Sequence, residues 1–261
     1  MGRPESQVLS PGTSRPRTLD QVKRRGIFIT LEGIDGAGKS TQVHGLAKHL
    51  RKSGYRVCVT REPGGTPLGD EIRRILLRGR LSGGRRRAGS RPPDRAPRPL
   101  AELALMYAAR AQHLEEVVRP ALARGEIVVS DRFNDASMAY QGYGRGLGPE
   151  LVRAFDRTVC GRTQPDLTLV LDLEPRVALE RARGRETRLN SRGSRFEAEG
   201  VKFQERVRDA YLAIARKEPR RVRVIGADQP IAEIAREISS AVDAFLATRH
   251  ARKASKSVKS S

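Results

Sequence analysis

No stretch of this chain approaches the roughly 20 consecutive apolar residues that a membrane-spanning helix needs, so no membrane partner is expected. The N-terminal run "MGRPESQVLSPGTSRPRTLDQVKRR" lacks an apolar segment of about 7–15 residues, which argues against a secretory signal. Its Pro and Gly content favours a disordered extension over the transit peptide that its Arg and Ser suggest. Cysteine is scarce. Cys58 and Cys160 make no disulfide framework, and their spacing is neither that of a metal site nor that of a redox pair. They read as small buried residues of a cytoplasmic protein. His44, His49, His113 and His250 lack zinc spacing and read as ordinary helix or tail residues. No internal repeat is visible.

Acids are also in short supply: 30 Asp and Glu stand against 51 Lys and Arg, a net charge of +21. The excess is localised. Residues 1–25 carry +4, the Arg-rich stretch 78–98 carries +7 and the tail 249–261 carries +5, so segments that read as unfolded hold 16 of the 21 charges. The remaining chain is mildly basic, which suits phosphorylated small molecules and requires no nucleic-acid partner.

What is present is an alternation of apolar strands and amphipathic helices. Strands are predicted at 26–32, "YRVCVT", "EIVVSD", "DLTLVLDL" and "RRVRVIGA", with helices at 38–53, 67–78, 99–123, 149–160, 175–183, 197–217 and 230–247. Strands that are apolar throughout imply an α/β fold, a five-stranded parallel sheet with helices on both faces. One domain over 26–248 is expected, with a flexible Arg/Gly/Pro insertion at 79–99, a loop-like lid at 184–197 and disordered basic ends at 1–25 and 249–261.

"GIDGAGKST" (Gly33, Ile34, Asp35, Gly36, Ala37, Gly38, Lys39, Ser40, Thr41) follows the first strand and opens the first helix. In such a phosphate loop the glycines let backbone N–H groups approach phosphates, the lysine reaches the β- and γ-phosphates of a nucleoside triphosphate, and the serine ligates Mg²⁺. "SDRF" ends the third strand with Asp131, suited to Mg²⁺ or its water shell, and Arg132, suited to clamping a phosphate, or else the pair is a helix cap with a surface Arg. "MYAARAQ" sets Met106, Tyr107 and Arg110 three or four residues apart on one helix, a surface for a planar base or else a core stripe with a solvated Arg. The segment "RARGRETRLNSRGSRFE" brings arginines that include Arg181, Arg183, Arg185 and Arg188 onto a short stretch, either as mobile cations for phosphoryl transfer or as a solvated basic loop.

From about Gly26 to Leu246 the chain resembles the bacterial thymidylate kinase family. The resemblance rests on "LEGIDGAGKST", "TREPGGTPLG", "MYAARAQHL", "SDRFNDASMAYQGYGRGL", "PDLTLVLDL" and the arginine-rich lid. It implies a P-loop kinase fold, transfer of the ATP γ-phosphoryl group to dTMP, Mg²⁺ and a homodimer. By position, the resemblance sets Asp35 near the sugar and acceptor phosphate, with Arg132 holding that phosphate beside Asp131 and Arg73 reaching it. Glu62 and Pro63 border the thymine pocket, Arg110 bonds the base, Ser137 and Gln141 complete its recognition, and Tyr140 packs on the deoxyribose. The family supplies its catalytic arginine from the phosphate loop or from the lid. Gly36 stands at the loop position here, which implies the lid version, with Arg181, Arg183, Arg185 and Arg188 as candidates. Met106 occupies a position where the family carries an aromatic, so Met106 or Tyr107 faces the base. The lid reads Ser194-Arg195-Phe196-Glu197 in place of Asp-Arg-x-Glu. Two rival readings are another P-loop nucleoside monophosphate or nucleoside kinase, and a nucleic-acid binder using the basic ends.

Overall fold

Strand β1 (Ile27–Glu32) is buried along its whole length, and its alternate side chains feed two different cores. Ile27, Ile29 and Leu31 pack with residues of α1 (Lys39–Lys52), α8 (Val201–Lys217) and α9 (Ile231–Val258). Phe28 packs instead with residues of α3 (Pro99–His113), α4 (Arg119–Ala123) and α6 (Pro149–Val159). Both faces of the sheet are thus covered, which is why the strand carries no polar alternation until Thr30 and Glu32. These positions belong to a computed structural model that describes residues 25–78, 96–189, 196 and 199–258.

β2 (Val57–Arg61), β3 (Ile127–Asp131), β4 (Leu167–Asp172) and β5 (Val222–Gly226) complete a five-stranded sheet of order β2-β3-β1-β4-β5, with every pairing parallel. The register sets Leu31 and Arg61 level with Asp131. Consequently the loops after β1, β2 and β3 open at one height above the carboxyl edge, where ligands of such sheets bind.

Several boundaries differ from the sequence reading. The helix expected over 99–123 is interrupted: α3 passes through a π-helical stretch, Leu114–Val118, into α4. Pro120 has no N–H to return a bond into the preceding turn, and the wider stretch lies directly before it. No element was expected between 131 and 149, yet α5 (Asn134–Ser137) runs into a second π-helical stretch, Met138–Gly144. The helix expected over 175–183 is α7 (Pro175–Leu189), so the first part of the anticipated lid loop is helical. Its Arg, Glu and Leu are good helix formers and absorb the cost of Gly184, about 1 kcal/mol. α8 begins at Val201, a few residues later than expected, after Gly200 at φ 82°. α9 continues to Val258 through most of the supposed disordered tail, a run of Ala, Lys, Arg and Ser without Gly or Pro. Arg249 in that run bonds Asp166 at 2.6 Å. Residues 1–24, 79–95, 190–195, 197–198 and 259–261 lie outside the described residues, as do the side chains of Arg183, Arg185 and Arg188.

Candidate active site

The loop between β1 and α1 turns on Gly36 and Gly38, both at φ 88°. A Cβ at Gly36 would sit 2.1 Å from the carbonyl oxygen of Ala178, so no side chain, and no arginine, fits at this point of the loop. Lys39 begins α1 and is 7 % exposed. Its Nζ donates to the Ile34 carbonyl at 2.8 Å and lies 3.9 Å from the Asp35 carboxylate. Burial and the neighbouring Arg132 cation lower its pKa to about 8, against the pull of Asp35 and Asp131. An arriving phosphate would restore the missing negative charge. Ser40 Oγ donates to Asp131 Oδ2 at 2.6 Å, which joins a hydroxyl and a carboxylate at the loop mouth.

Arg132 adopts φ 74°, a left-handed conformation costing on the order of 1–3 kcal/mol for a residue with a side chain. Its partners hold it there. Nη1 donates to Gly33 O at 2.9 Å and to the Tyr211 hydroxyl at 3.1 Å, and Nη2 donates to Asp35 at 2.6 Å and to the Tyr140 hydroxyl at 3.0 Å. Glu32, fully buried, pins the same turn: it accepts the Phe133 N–H at 2.7 Å and the Tyr211 hydroxyl at 2.8 Å. Burial and the Asp135 carboxylate push Glu32 up to about 8.

Arg110 is buried at 2 % exposure. Its Nε donates to Glu62 at 2.7 Å, and its Nη2 donates to Phe133 O and Ser137 Oγ, both at 3.0 Å. Nη1 is buried and has no partner. Burial pushes Glu62 up, but Arg110 and His113 outweigh it and hold the carboxyl below its ordinary value. His113 lies 2.8 Å from Glu62 through Nδ1 and 2.6 Å from Thr60 through Nε2. Far from being an ordinary helix residue, it is fully buried behind the Arg110–Glu62 pair.

One cavity of about 420 Å³ collects these groups. Asp35, Gly36, Gly38, Lys39, Ser40 and Thr41 line it from the phosphate loop, and Glu62, Pro63, Arg73, Asp131 and Arg132 from the loops after β2 and β3 and from α2 (Pro67–Arg78). Met106, Arg110, Ser137, Tyr140 and Gln141 line it from the helices. Arg61, at the start of the loop after β2, lines it too, as do Leu77, Phe133, Ala136 and Phe196, which the sequence reading did not assign to the site. Arg73 donates to Pro63 O at 2.9 Å, and its pKa is lowered by burial and by the cations Arg61 and Arg132. Arg132 thus lowers both Arg73 and Lys39, and such a gathering of cations marks an anion site.

Of the expected residues, Gly33, Ile34 and Ala37 belong to the loop without lining the cavity, Ile34 and Ala37 packing into the core instead, and Tyr107 and Arg181 fall elsewhere. Tyr107 does not share the cavity face of Met106 and Arg110. It is 1 % exposed, its hydroxyl meets Val152 O at 3.3 Å, and its ring packs 5.3 Å from Phe155. One helical step from Met106 rotates a side chain about 100°, which turns Tyr107 toward α6 while Met106 and Arg110, four apart, stay together. Arg181 is exposed and donates to Ala227 O at 2.8 Å, away from the cavity lining. The sequence reading missed Glu32, Glu102, His113 and Tyr211. A carboxylate closing an apolar strand was the available signal for Glu32, and a histidine one turn after Arg110 the signal for His113.

Among the described residues no cluster of three or more His, Cys, Asp or Glu could hold a metal, and no helix is long and apolar enough to cross a membrane. A parallel sheet of this order, with a phosphate loop after its central strand and a cation-lined cavity alongside, has the architecture of a P-loop kinase. A family model described as thymidylate kinase matches residues 31–238. The thymidylate kinase of Pseudomonas savastanoi pv. phaseolicola is 46 % identical over 224 residues, 86 % of this chain and 98 % of that protein. That of Halothermothrix orenii is 48 % identical over 214 residues, 82 % and 95 % of the two chains. The crystal structure of thymidylate kinase from Ehrlichia chaffeensis superposes with a TM-score of 0.62 at 32 % identity, covering 84 % of this chain and 98 % of that one. The chain belongs to the thymidylate kinase family.

Proposed function

We propose that the chain transfers the γ-phosphoryl group of ATP to dTMP, giving dTDP, with Mg²⁺, in the cytoplasm and as a homodimer. The observation that carries the substrate reading is Arg110 Nη1, a buried donor without a partner on a residue that lines the same cavity as Lys39 and Ser40. Such a donor costs about 1–3 kcal/mol unless a ligand accepts from it, and a base carbonyl is a suitable acceptor. Lys39, Arg61, Arg73 and Arg132 line that cavity too, as two phosphate-bearing substrates require.

Ser40 and Asp131 would hold Mg²⁺, their oxygens being hard ligands already in contact at 2.6 Å. The ion, when bound, offsets charge on the phosphate oxygens. The chain's own groups do the rest by position. Lys39 neutralises the β- and γ-phosphates of the donor. Arg132, fixed by Asp35, Tyr140 and Tyr211, presents its guanidinium to the acceptor phosphate, with Arg73 beside it. Met106 supplies the apolar contact to the base, while Ser137 and Gln141 border its polar edge. The cation for the transferring group comes from the lid arginines, because Gly36 leaves no room for one in the loop.

Turnover of each nucleoside monophosphate with ATP and Mg²⁺ tests this directly. Phosphorylation of AMP, GMP or CMP without phosphorylation of dTMP would end the reading in favour of another P-loop kinase.

A further inference from the structure

Arg110 and Gln141 meet the cavity with opposite hydrogen-bonding polarity. Arg110 brings a free donor. For Gln141 the polarity is set by Glu102, a fully buried residue in the first turn of α3 that does not line the cavity. Glu102 Oε1 accepts from Gln141 Nε2 at 2.7 Å. Arg145 Nε donates to both Glu102 oxygens, at 3.3 and 3.2 Å. Arg145 is itself anchored by Glu199 at 2.5 Å and by the Phe203 ring, 4.8 Å from its guanidinium carbon.

A carboxylate paired to an arginine offers no donor, so only the nitrogen of the Gln141 amide can face it. The amide oxygen is then the atom left for a ligand, and it makes no hydrogen bond among the described residues. A 4-oxo pyrimidine carries an acceptor at position 4 and an N–H donor at position 3, which matches a donor from Arg110 and an acceptor from Gln141. A 4-amino pyrimidine carries the reverse pattern and would leave both protein groups facing their own kind.

We propose that Glu102, held by Arg145, is a specificity-determining positioning residue: it locks the Gln141 amide oxygen toward the base, so that 4-oxo pyrimidine monophosphates are accepted and 4-amino ones refused. The inference rests on the dTMP reading above. Its test compares kcat/KM for dTMP and dCMP in the unaltered chain, in Glu102→Gln, and in Glu102→Gln combined with Arg145→Gln. A glutamine at 102 can meet either amide orientation, so the dTMP/dCMP ratio should fall at least about tenfold, chiefly through KM for dTMP. A structural ion pair would lower melting temperature and leave the ratio alone. An unchanged ratio in either folded variant overturns the proposal. The double variant leaves no carboxylate or guanidinium of the Glu102–Arg145 pair unpartnered if the single one does not fold. A measurement on the unaltered, side-chain ¹⁵N-labelled chain needs no variant at all. The Gln141 amide protons should remain protected by Glu102 when dTMP binds, and their transfer to the base would overturn the proposal. Failure of the unaltered chain to prefer dTMP would instead overturn the functional reading itself.

Discussion

The two sides of the cavity that the proposed reading assigns to acceptor and donor are built from different materials. On the acceptor side Arg110, Glu62, Gln141 and Tyr140 are each 5 % exposed or less and are already bonded to other protein groups. On the donor side the phosphate loop offers backbone around Gly36 and Gly38 and an exposed Ser40, while the exposed Arg181 of α7 stands outside the cavity lining. Buried, mutually bonded groups lose little freedom on binding and can select a base by shape and polarity. Exposed cations lend themselves to arriving with closure, when charge moves. Selection and transfer should therefore be separable by mutation.

The largest separation is expected at Lys39. Lys39→Ala removes the cation nearest the loop and should lower kcat about 10³-fold or more. The dTMP dissociation constant, measured by calorimetry without ATP, should move less than about threefold, because the acceptor groups form their own network. A comparable loss of dTMP affinity would show that the two sides are not independent.

Next in size is the lid. A cation delivered to this transition state is worth about 10³–10⁵ in turnover. One of Arg183, Arg185 or Arg188 changed to Ala should lose at least about a hundredfold in kcat with little change in apparent dTMP affinity. Arg181→Ala should lose far less, since its guanidinium is engaged by Ala227 O. Near-normal turnover in all four single variants would exclude the lid as the cation source.

A smaller effect sharpens the acceptor side. Met106→Ala should raise KM for dTMP about tenfold through lost apolar contact. Tyr107→Phe should leave KM within about twofold and lower the melting temperature by a few degrees, since only its bond to Val152 is lost. The opposite ranking would return Tyr107 to the base.

How legible each side was in the sequence follows from the same contrast. The sheet was readable because its strands are apolar throughout, and the phosphate loop because glycine spacing dictates its backbone. Arg110, Arg132 and Gln141 were reachable through motifs, since each lies within a few residues of a strand or helix end. Glu32 and His113 left only a local hint and Glu102 none, because their partners Tyr211, Thr60 and Arg145 are distant in sequence and only the folded chain brings them together. The Met106 and Tyr107 ambiguity was one of rotation about a helix, which apolar periodicity cannot resolve when both neighbours are apolar. The ends of α7 and α9 were underestimated because a charged run reads as solvated loop although its residues are good helix formers.

The smallest expected effect concerns the group that pins the Arg132 turn from beneath. Glu32 titrates near 8 in the folded chain, against an ordinary value of 4.5, because burial and Asp135 outweigh Arg132 and the two hydrogen bonds it accepts. Between those two values the folded chain holds a proton that the unfolded chain has released. The stability that this proton carries is complete below about pH 4.5 and is lost as pH rises toward 8. Lys39, lowered to about 8 from 10.5, adds a slope of the opposite sign only above that range. Glu32→Gln keeps an acceptor for the Phe133 N–H and offers the Tyr211 oxygen a donor, yet it cannot titrate. Urea midpoints of the two proteins from pH 5 to 8 should therefore diverge. The unaltered chain should lose on the order of 1 kcal/mol per pH unit more than the variant, the value set by one bound proton. Parallel curves would mean that Glu32 is already ionised at pH 5 and that its hydrogen bonds, rather than burial, govern its charge.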